Sequence, residues 1–383
     1  MPTPTYLVDL SQPFDTERMS IPPGLPQFSC CPIATVPKDG FSMQTVSLGS
    51  HSGTHVDAPS HFYADGKTID QIPLSALVGP AVVLDFTSKQ AKEVITWGDI
   101  EQHPQENKIE AGVILLFYTG WSKHWASPGT IYWEHPHLST DVAERLIARG
   151  VNVIGVDCPS PDESQFEPPW RFPFHRAFLG RGGFIVENLT NLGKLLQEPD
   201  IMVNLLPINL VGSDGAPVRD LRGNEGLKKA STVPILRNDI KLSFPSFAKT
   251  RLIETFESNH CGMNMSLSAI SAANHKYSIY AKTTIQCTSI FGTCVSPTRA
   301  MASQRGLVDL SHPLDPERVS LWPTMPSFTC CPSATIPQHG FSVHTLSMGT
   351  HTGTHVDAHL ISSRGGNQST KSLSMFFTVL PSS

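Results

Sequence analysis

The runs GVILLFYTG (112–120), STDVAERLIARG (139–150) and VNVIGVD (151–157) decide the fold class. The outer two are apolar, of strand length and bounded by turn residues. The middle one opens on Ser139 as an N-cap, closes at Gly150 and carries Val142, Leu146 and Ile147 on one face, which predicts an amphipathic helix. Strand, helix and buried strand in succession imply a mixed α/β domain. Toward the N-terminus, VGPAVVLDFT (78–87) is a further strand-like run, and the alternation continues to about Arg222. From 223 to 305 no period of 3.6 or 2 is sustained. That stretch is rich in Ser, Thr, Asn and Lys, and a linker or poorly ordered insert is expected there.

With 383 residues, 39% of them hydrophobic, the chain can bury a core and is long enough for about two domains. A net charge of −5 and a pI near 6.3 give no basic surface for nucleic acid or anionic lipid. No stretch approaches the roughly 20 apolar residues of a membrane span. The N-terminal MPTPTYLVDLSQPFD lacks the basic head and apolar run of a secretory signal. Eight cysteines are too sparse for a disulfide scaffold, and the adjacent pairs Cys30-Cys31 and Cys330-Cys331 do not space like a zinc ribbon or a redox motif. A reduced, cytoplasmic setting is expected.

The chain repeats itself. Residues 7–58 recur as 307–358 at a constant offset of 300, with 32 of 52 positions identical. This is one long segment copied once, not a solenoid of short units. After Ala358 the sequence no longer follows the first copy, and 359–383 are expected to form an unstructured tail. The chain thus divides into a domain at 5–222, the insert at 223–305, a truncated repeat at 306–358 and the tail.

His51-Ser-Gly-Thr-His55-Val-Asp57-Ala-Pro-Ser-His61 gathers four groups able to bind metal or carry protons within eleven residues. In a straight strand His51 and His55 lie about 13 Å apart, too far to share an ion held at about 2 Å. Gly53 and Pro59 oppose a regular helix, so a bent strand-to-loop turn hinged at Gly53 is predicted. Imidazoles with a carboxylate suit zinc or manganese better than calcium or magnesium. Further ligands must come from elsewhere, and PFHRAFLGRGGFIVENLTNL (173–192) offers His175 and Glu187. On its own Glu187 also reads as a carboxylate at a helix N-terminus. Asp157, at the end of a buried strand, either caps a loop or orients another group.

HSGTHVDAPSHF followed by DGKTIDQIPLSALVGPAVVLDF resembles the cyclase family, which includes bacterial-type kynurenine formamidases and has isatin hydrolases among its relatives. LLFYTGW (115–121), VIGVDCPSPD (153–162), FHRAFLGRGGFIVENL and LPINLVGSDGAPVRD (206–220) extend the resemblance over about 5–222. It implies a swivelling β/β/α fold and a dimeric or tetrameric assembly. It also implies a site of one or two zinc or manganese ions held by His51, His55, Asp57, His175 and Glu187, with Asp57 able to bridge two ions and His61 as acid/base. Family members often wall the substrate pocket with a Trp in the N-terminal loop. Pro22 stands there in the first copy and Trp322 in the second.

The chemistry of the residues agrees. Such an ion lowers the pKa of water toward neutrality and polarises a carbonyl. His61 can take the water proton and pass it to the leaving nitrogen of an amide. No GxSxG elbow surrounds Ser50 or Ser160, and Cys30-Cys31 lie far in sequence from the histidines, so serine or cysteine nucleophiles have little support. The expected function is metal-dependent hydrolysis of a small formyl-anilide, as in tryptophan catabolism, or of a cyclic amide. The alternatives are a lactone or ester hydrolase and an idle binding protein derived from the duplication. The second copy keeps His351, His355 and Asp357, has Ile361 in the place of His61 with His359 two residues out of register, and lacks counterparts of His175 and Glu187. It needs those groups from another chain or from the first domain.

Overall fold

A computed structural model describes residues 7–22, 24–219, 307–319, 321 and 325–358, with the backbone of Leu221–Gly223, Leu267–Ala269 and Ile279–Ala281. Trp322, His359, Ile361 and the tail lie outside the described residues, as does most of the expected insert. The chain divides into two units. Met1–Ala230 with Gly306–Ser383 form one, and Ser231–Arg305 the other, of which the described part is the antiparallel pair Leu267–Ala269 with Ile279–Ala281.

The first unit is built on a nine-stranded mixed sheet. Its order is Val8–Asp9, Leu221–Gly223, Ile201–Asn204, Val78–Asp85, Ile114–Tyr118, Val153–Val156, Phe184–Glu187, His55–Asp57 and Gly215–Pro217. The four strands from Val78–Asp85 to Phe184–Glu187 are mutually parallel, and the strands flanking them run antiparallel. Helix Thr140–Ala148 crosses between the second and third of the four, and helix Pro173–Leu179 between the third and fourth. This is the mixed α/β arrangement expected from the alternation.

Successive side chains of a strand point to opposite faces. Ile114 and Leu116 therefore join one core with Val83, Val153 and Val186, while Leu115 and Phe117 join another with Leu84, Ile154, Val142, Leu146, Phe174 and Phe178. Both faces are covered, so these strands read as unbroken apolar runs. Ser139 sits at the N-cap position of the first crossover helix, but its hydroxyl donates to Asp141 Oδ1 and makes no cap bond to the backbone. Gly150 follows that helix at φ +80°, and a Cβ there would stand 2.7 Å from Ala111 Cβ.

The described part of the second copy does not stand apart. Its hairpin, Thr329–Ala334 and Val343–Gly349, joins the first copy's Ser29–Ala34 and Met43–Gly49 in a four-stranded sheet, with Val343–Gly349 and Met43–Gly49 adjacent at its centre. Leu314, Phe328 and Leu346 are buried in the same core as Val83 and Val186.

Candidate metal centre

His55–Asp57 lies between Phe184–Glu187 and Gly215–Pro217, with Glu187 directly opposite His55 and Ile185 opposite Asp57. His55 and Asp57 are two residues apart, so they share a face, and strand pairing alone sets Glu187 beside them. The preceding turn bends at Gly53, whose φ is +65°, and brings the His51 and His55 rings to 5.0 Å between centroids. The straight-strand separation of about 13 Å is thereby removed. Asn188 fixes the bend. Its amide donates to the Gly53 carbonyl at 2.9 Å, and its Oδ1 accepts from the Tyr132 hydroxyl at 2.6 Å.

His175 arrives from helix Pro173–Leu179, whose first turn is held by the Asp162 carboxylate. That carboxylate accepts from the backbone N–H of Phe174 and of His175, at 2.8 and 3.0 Å, and from His175 Nδ1–H at 2.7 Å. His175 Nε2 is thereby aimed at Asp57 Oδ2 and Glu187 Oε1, at 3.3 and 3.2 Å. In the same way His55 Nδ1–H donates to the Gly53 carbonyl at 2.9 Å, leaving Nε2 to face Asp57 Oδ1 at 3.1 Å and Glu187 Oε2 at 3.4 Å. His51 Nδ1 stands 2.7 Å from Asp57 Oδ1.

Five side chains from three segments thus converge. Their facing donor atoms lie 2.7–3.4 Å apart, the spacing of ligands that share an ion at about 2 Å. His55 Nε2, Asp57 Oδ2 and Glu187 Oε1 are buried without a hydrogen-bond partner. A buried polar atom left so is costly unless something else satisfies it. The residues therefore fit a divalent cation. Two donor groups, His51-His55-Asp57 and Asp57-His175-Glu187, share Asp57, and a third joins His51, His61 and Asp214.

Charge follows the same logic. Burial opposes the charge on His55, but Asp57 and Glu187 beside it raise its pKa to about 10. His175, against the same burial, is raised well above the ordinary histidine range by Asp162, Asp57 and Glu187. Asp57, despite burial, is held well below the carboxylate range by His55 and His51. His61 goes the other way: burial first, then the neighbouring His51, pushes it down to about 3, so its ring is neutral. It lies beside the cluster, 4.0 Å from the His51 ring and 6.0 Å from that of His175.

Above the cluster opens a cavity of about 210 Å³. Pro22 lines it, and Trp133, Phe166, Trp170, Phe172 and Phe341 supply aromatic walls from other segments. Cys30 and Cys31 are not among its lining residues. Cys30 bonds Gln44, and Cys31 is exposed.

Two carboxylates were not assigned from the sequence. Asp162 orients His175, and its signal was slight: an acid after a Pro-rich turn. Asp214 is 1% exposed and faces His51 Nε2 at 3.4 Å and His344 Nδ1 at 3.0 Å. The Gly after it carried the clue, because a Cβ on Gly215 would stand 2.6 Å from His51 Cε1. Asp157 lies outside the cluster. It accepts from Thr119 N–H and Oγ1–H at 2.8 and 2.6 Å and so holds the loop after the neighbouring strand Ile114–Tyr118.

The second copy forms the same turn. Gly353 has φ +65° and the His351 and His355 rings are 5.0 Å apart, with Asp357 Oδ1 3.1 Å from His351 Nδ1 and 3.4 Å from His355 Nε2, yet the Asp357 side chain is 68% exposed and, among the described residues, no third histidine or glutamate joins the group.

Known proteins share this pattern. Kynurenine formamidase of Geobacillus thermodenitrificans is 31% identical over 215 residues, which are 55% of this chain and 94% of that enzyme. The kynurenine formamidase of Bacillus cytotoxicus is 32% identical over 216 residues, with the same coverage. Among solved structures, isatin hydrolase A from Ralstonia solanacearum superposes with a TM-score of 0.50 at 26% identity, covering 57% of this chain and 92% of that one. An isatin hydrolase bound to the product analogue thioisatinate gives 0.51 at 25% identity, again over 57% and 92%. The Cyclase family pattern matches residues 8–163 and again 308–379, running past Ala358 where the two copies stop resembling each other. With the turn from His51 to His61 inside a match that covers more than half of its length, the chain belongs to the Cyclase family.

Proposed function

We propose that the first copy is a metal-dependent amidohydrolase that cleaves the C–N bond of a small formyl-anilide or cyclic amide. The observation that carries this reading is the convergence of His51, His55, Asp57, His175 and Glu187, with buried donor atoms left unsatisfied, beneath an aromatic-walled cavity. The relatives named kynurenine formamidase and isatin hydrolase support the substrate class. Zinc or manganese suits two or three imidazoles with carboxylates, and Asp57, common to two donor groups, supports a pair of ions. When bound, the metal supplies Lewis acidity toward the carbonyl and lowers the pKa of water.

The chain's own residues do the rest. Asp162 and the Gly53 carbonyl fix the tautomers of His175 and His55, so that each presents Nε2. His61, with Nδ1–H held by the Ser342 carbonyl and Nε2 left free, accepts a proton from water and returns it to the departing nitrogen, which leaves as an amine and not as an amide anion. The aromatic walls hold a flat ring and exclude bulk water. A small-molecule substrate, cytoplasmic residence and a homodimer or homotetramer belong to the same reading. No helix among the described residues is long and apolar enough to cross a membrane.

The test is metal analysis of the purified chain, followed by turnover on formyl-anilides, N-formylkynurenine, cyclic imides and isatin. One or two equivalents of zinc or manganese and hydrolysis of at least one amide are expected. A folded, metal-loaded protein that cleaves esters or lactones but no amide would overturn the assignment.

A further inference from the structure

The two copies meet as two subunits would. Met43–Gly49 pairs antiparallel with Val343–Gly349, placing Thr45 opposite Gly349, Val46 opposite Met348, Ser47 opposite Ser347, Leu48 opposite Leu346 and Gly49 opposite Thr345. Since the copies are offset by 300, Ser47 faces its own duplicate, and every other pair is reproduced when the copies are exchanged. A twofold axis through Ser47 and Ser347 generates this register. The flanking bonds reciprocate. Ser50 N–H donates to the His344 carbonyl at 2.8 Å and Thr350 N–H to the Gln44 carbonyl at 2.9 Å. His344 N–H donates to Ser50 Oγ at 3.0 Å and Gln44 N–H to Thr350 Oγ1 at 3.3 Å. The partial copy holds, within one chain, the position of a symmetry-related subunit.

What crosses this axis is one-sided. The turn before Val343 reaches the first copy's site. Ser342 N–H donates to the His61 carbonyl at 2.7 Å, and the Ser342 carbonyl accepts from His61 Nδ1–H at 2.5 Å. Gly340 accepts from the Arg176 guanidinium at 2.9 Å. Phe341 lines the cavity, 6.0 Å from the His61 ring and 5.7 Å from that of Phe172. In the opposite direction no complete site is formed among the described residues, and Phe41, the counterpart of Phe341, is 42% exposed.

We propose that the partial second copy acts in cis as the other half of a pseudo-dimeric active site, with Ser342 positioning His61 and Phe341 closing the substrate cavity. This rests on the amidohydrolase reading of the site. An imidazole whose Nδ1–H is held by a carbonyl has its lone pair on Nε2, in a fixed direction. The turn that holds His61 is contributed from 281 residues further along the chain. The edge of Met43–Gly49 that faces away from Ser29–Ala34 is filled by the chain's own duplicate.

The experiment uses the full-length, metal-loaded chain and formanilide as the probe. Phe341→Ala is expected to raise KM about tenfold by removing one aromatic wall. Ser342→Pro removes the N–H that anchors His61 and is expected to lower kcat about 10²-fold, since small misplacements of a reacting group have effects of that order. Both variants should keep wild-type metal content, and Phe41→Ala should match wild type. Activity per chain should stay constant on dilution. Refolding Phe341→Ala together with His61→Asn should give no more than the mean of the two activities. Recovery toward a quarter of wild type would mean that the wall acts between chains and would overturn the proposal, as would wild-type kinetics in both Phe341→Ala and Ser342→Pro. If the wild-type chain cleaves no amide, the functional reading fails and the cis contact is read from ¹⁵N imidazole spectra. The Nδ1-protonated form of His61 should then be present in wild type and lost in Ser342→Pro, and its persistence in the variant would overturn the proposal.

Discussion

His55 and His61 stand six residues apart and should fail in different ways. His55 presents Nε2 to Asp57 and Glu187 at 3.1 and 3.4 Å, the placement proposed for a ligand. His61 is tied to the second copy through Nδ1 and lies beside the cluster. His55→Ala should therefore lose metal. His61→Asn should keep it and lose about 10²–10⁴-fold in rate, the usual worth of a proton carrier. Metal content and turnover measured side by side decide the matter, and metal loss in His61→Asn would move that residue into the third donor group with His51 and Asp214. The spacing of His51, His55 and Asp57 was legible in the sequence, because ligands within one turn report on each other. Asp162 and Asp214 were not, because their partners lie 13 and 163 residues away and each carries only one functional atom pair into the site.

At the scale of elements, the turn at Gly53 and the end of strand Val153–Val156 make separate predictions. Gly53 combines φ +65° with a ring in the way, since a Cβ there would stand 2.9 Å from Phe14 Cζ. Gly53→Ala should lower stability by about 1–2 kcal/mol, the cost of a left-handed L-residue, and weaken metal binding with it. Thermal melts with and without metal would show both, and a variant with unchanged melting and affinity would remove the hinge argument. Asp157 is buried and its carboxyl is raised to about 6 by desolvation, against the lowering effect of its Thr119 bonds. A raised carboxyl is favoured in its protonated form by folding. Its contribution is full below pH 3.8 and is lost as pH rises through about 6. Asp157→Asn should be more stable relative to wild type at pH 7 than at pH 4, by on the order of 3 kcal/mol for a shift of about two units. Denaturant melts of both proteins at the two pH values provide the comparison, and parallel curves would contradict it. The strands and helix around this residue were readable from apolar periodicity, whereas its loop-holding role depended on which strand became its neighbour.

For the molecule as a whole, duplication of a ligand motif does not duplicate a site. His351, His355 and Asp357 adopt the same turn as the first copy, but Asp357 is 68% exposed and, among the described residues, no further histidine or glutamate from a neighbouring strand or helix joins them. His351→Ala and His355→Ala should leave metal stoichiometry and turnover unchanged, and a fall in bound metal in either would assign an ion to the second copy. The sequence by itself determined the mixed α/β class, the bend at Gly53, the repeat and the grouping of His51, His55 and Asp57, since these rest on local periodicity, backbone freedom and side-chain chemistry; His175 and Glu187 joined that group only through the family resemblance. Only the tertiary structure decided that Glu187 faces His55, that Asp162 aims His175, and that Ser342 and Phe341 of the second copy reach His61. Those contacts depend on strand order and register across long separations in the chain. A single sequence does not encode them as a local pattern; they are fixed when two cores and a pseudo-twofold strand pair are satisfied together.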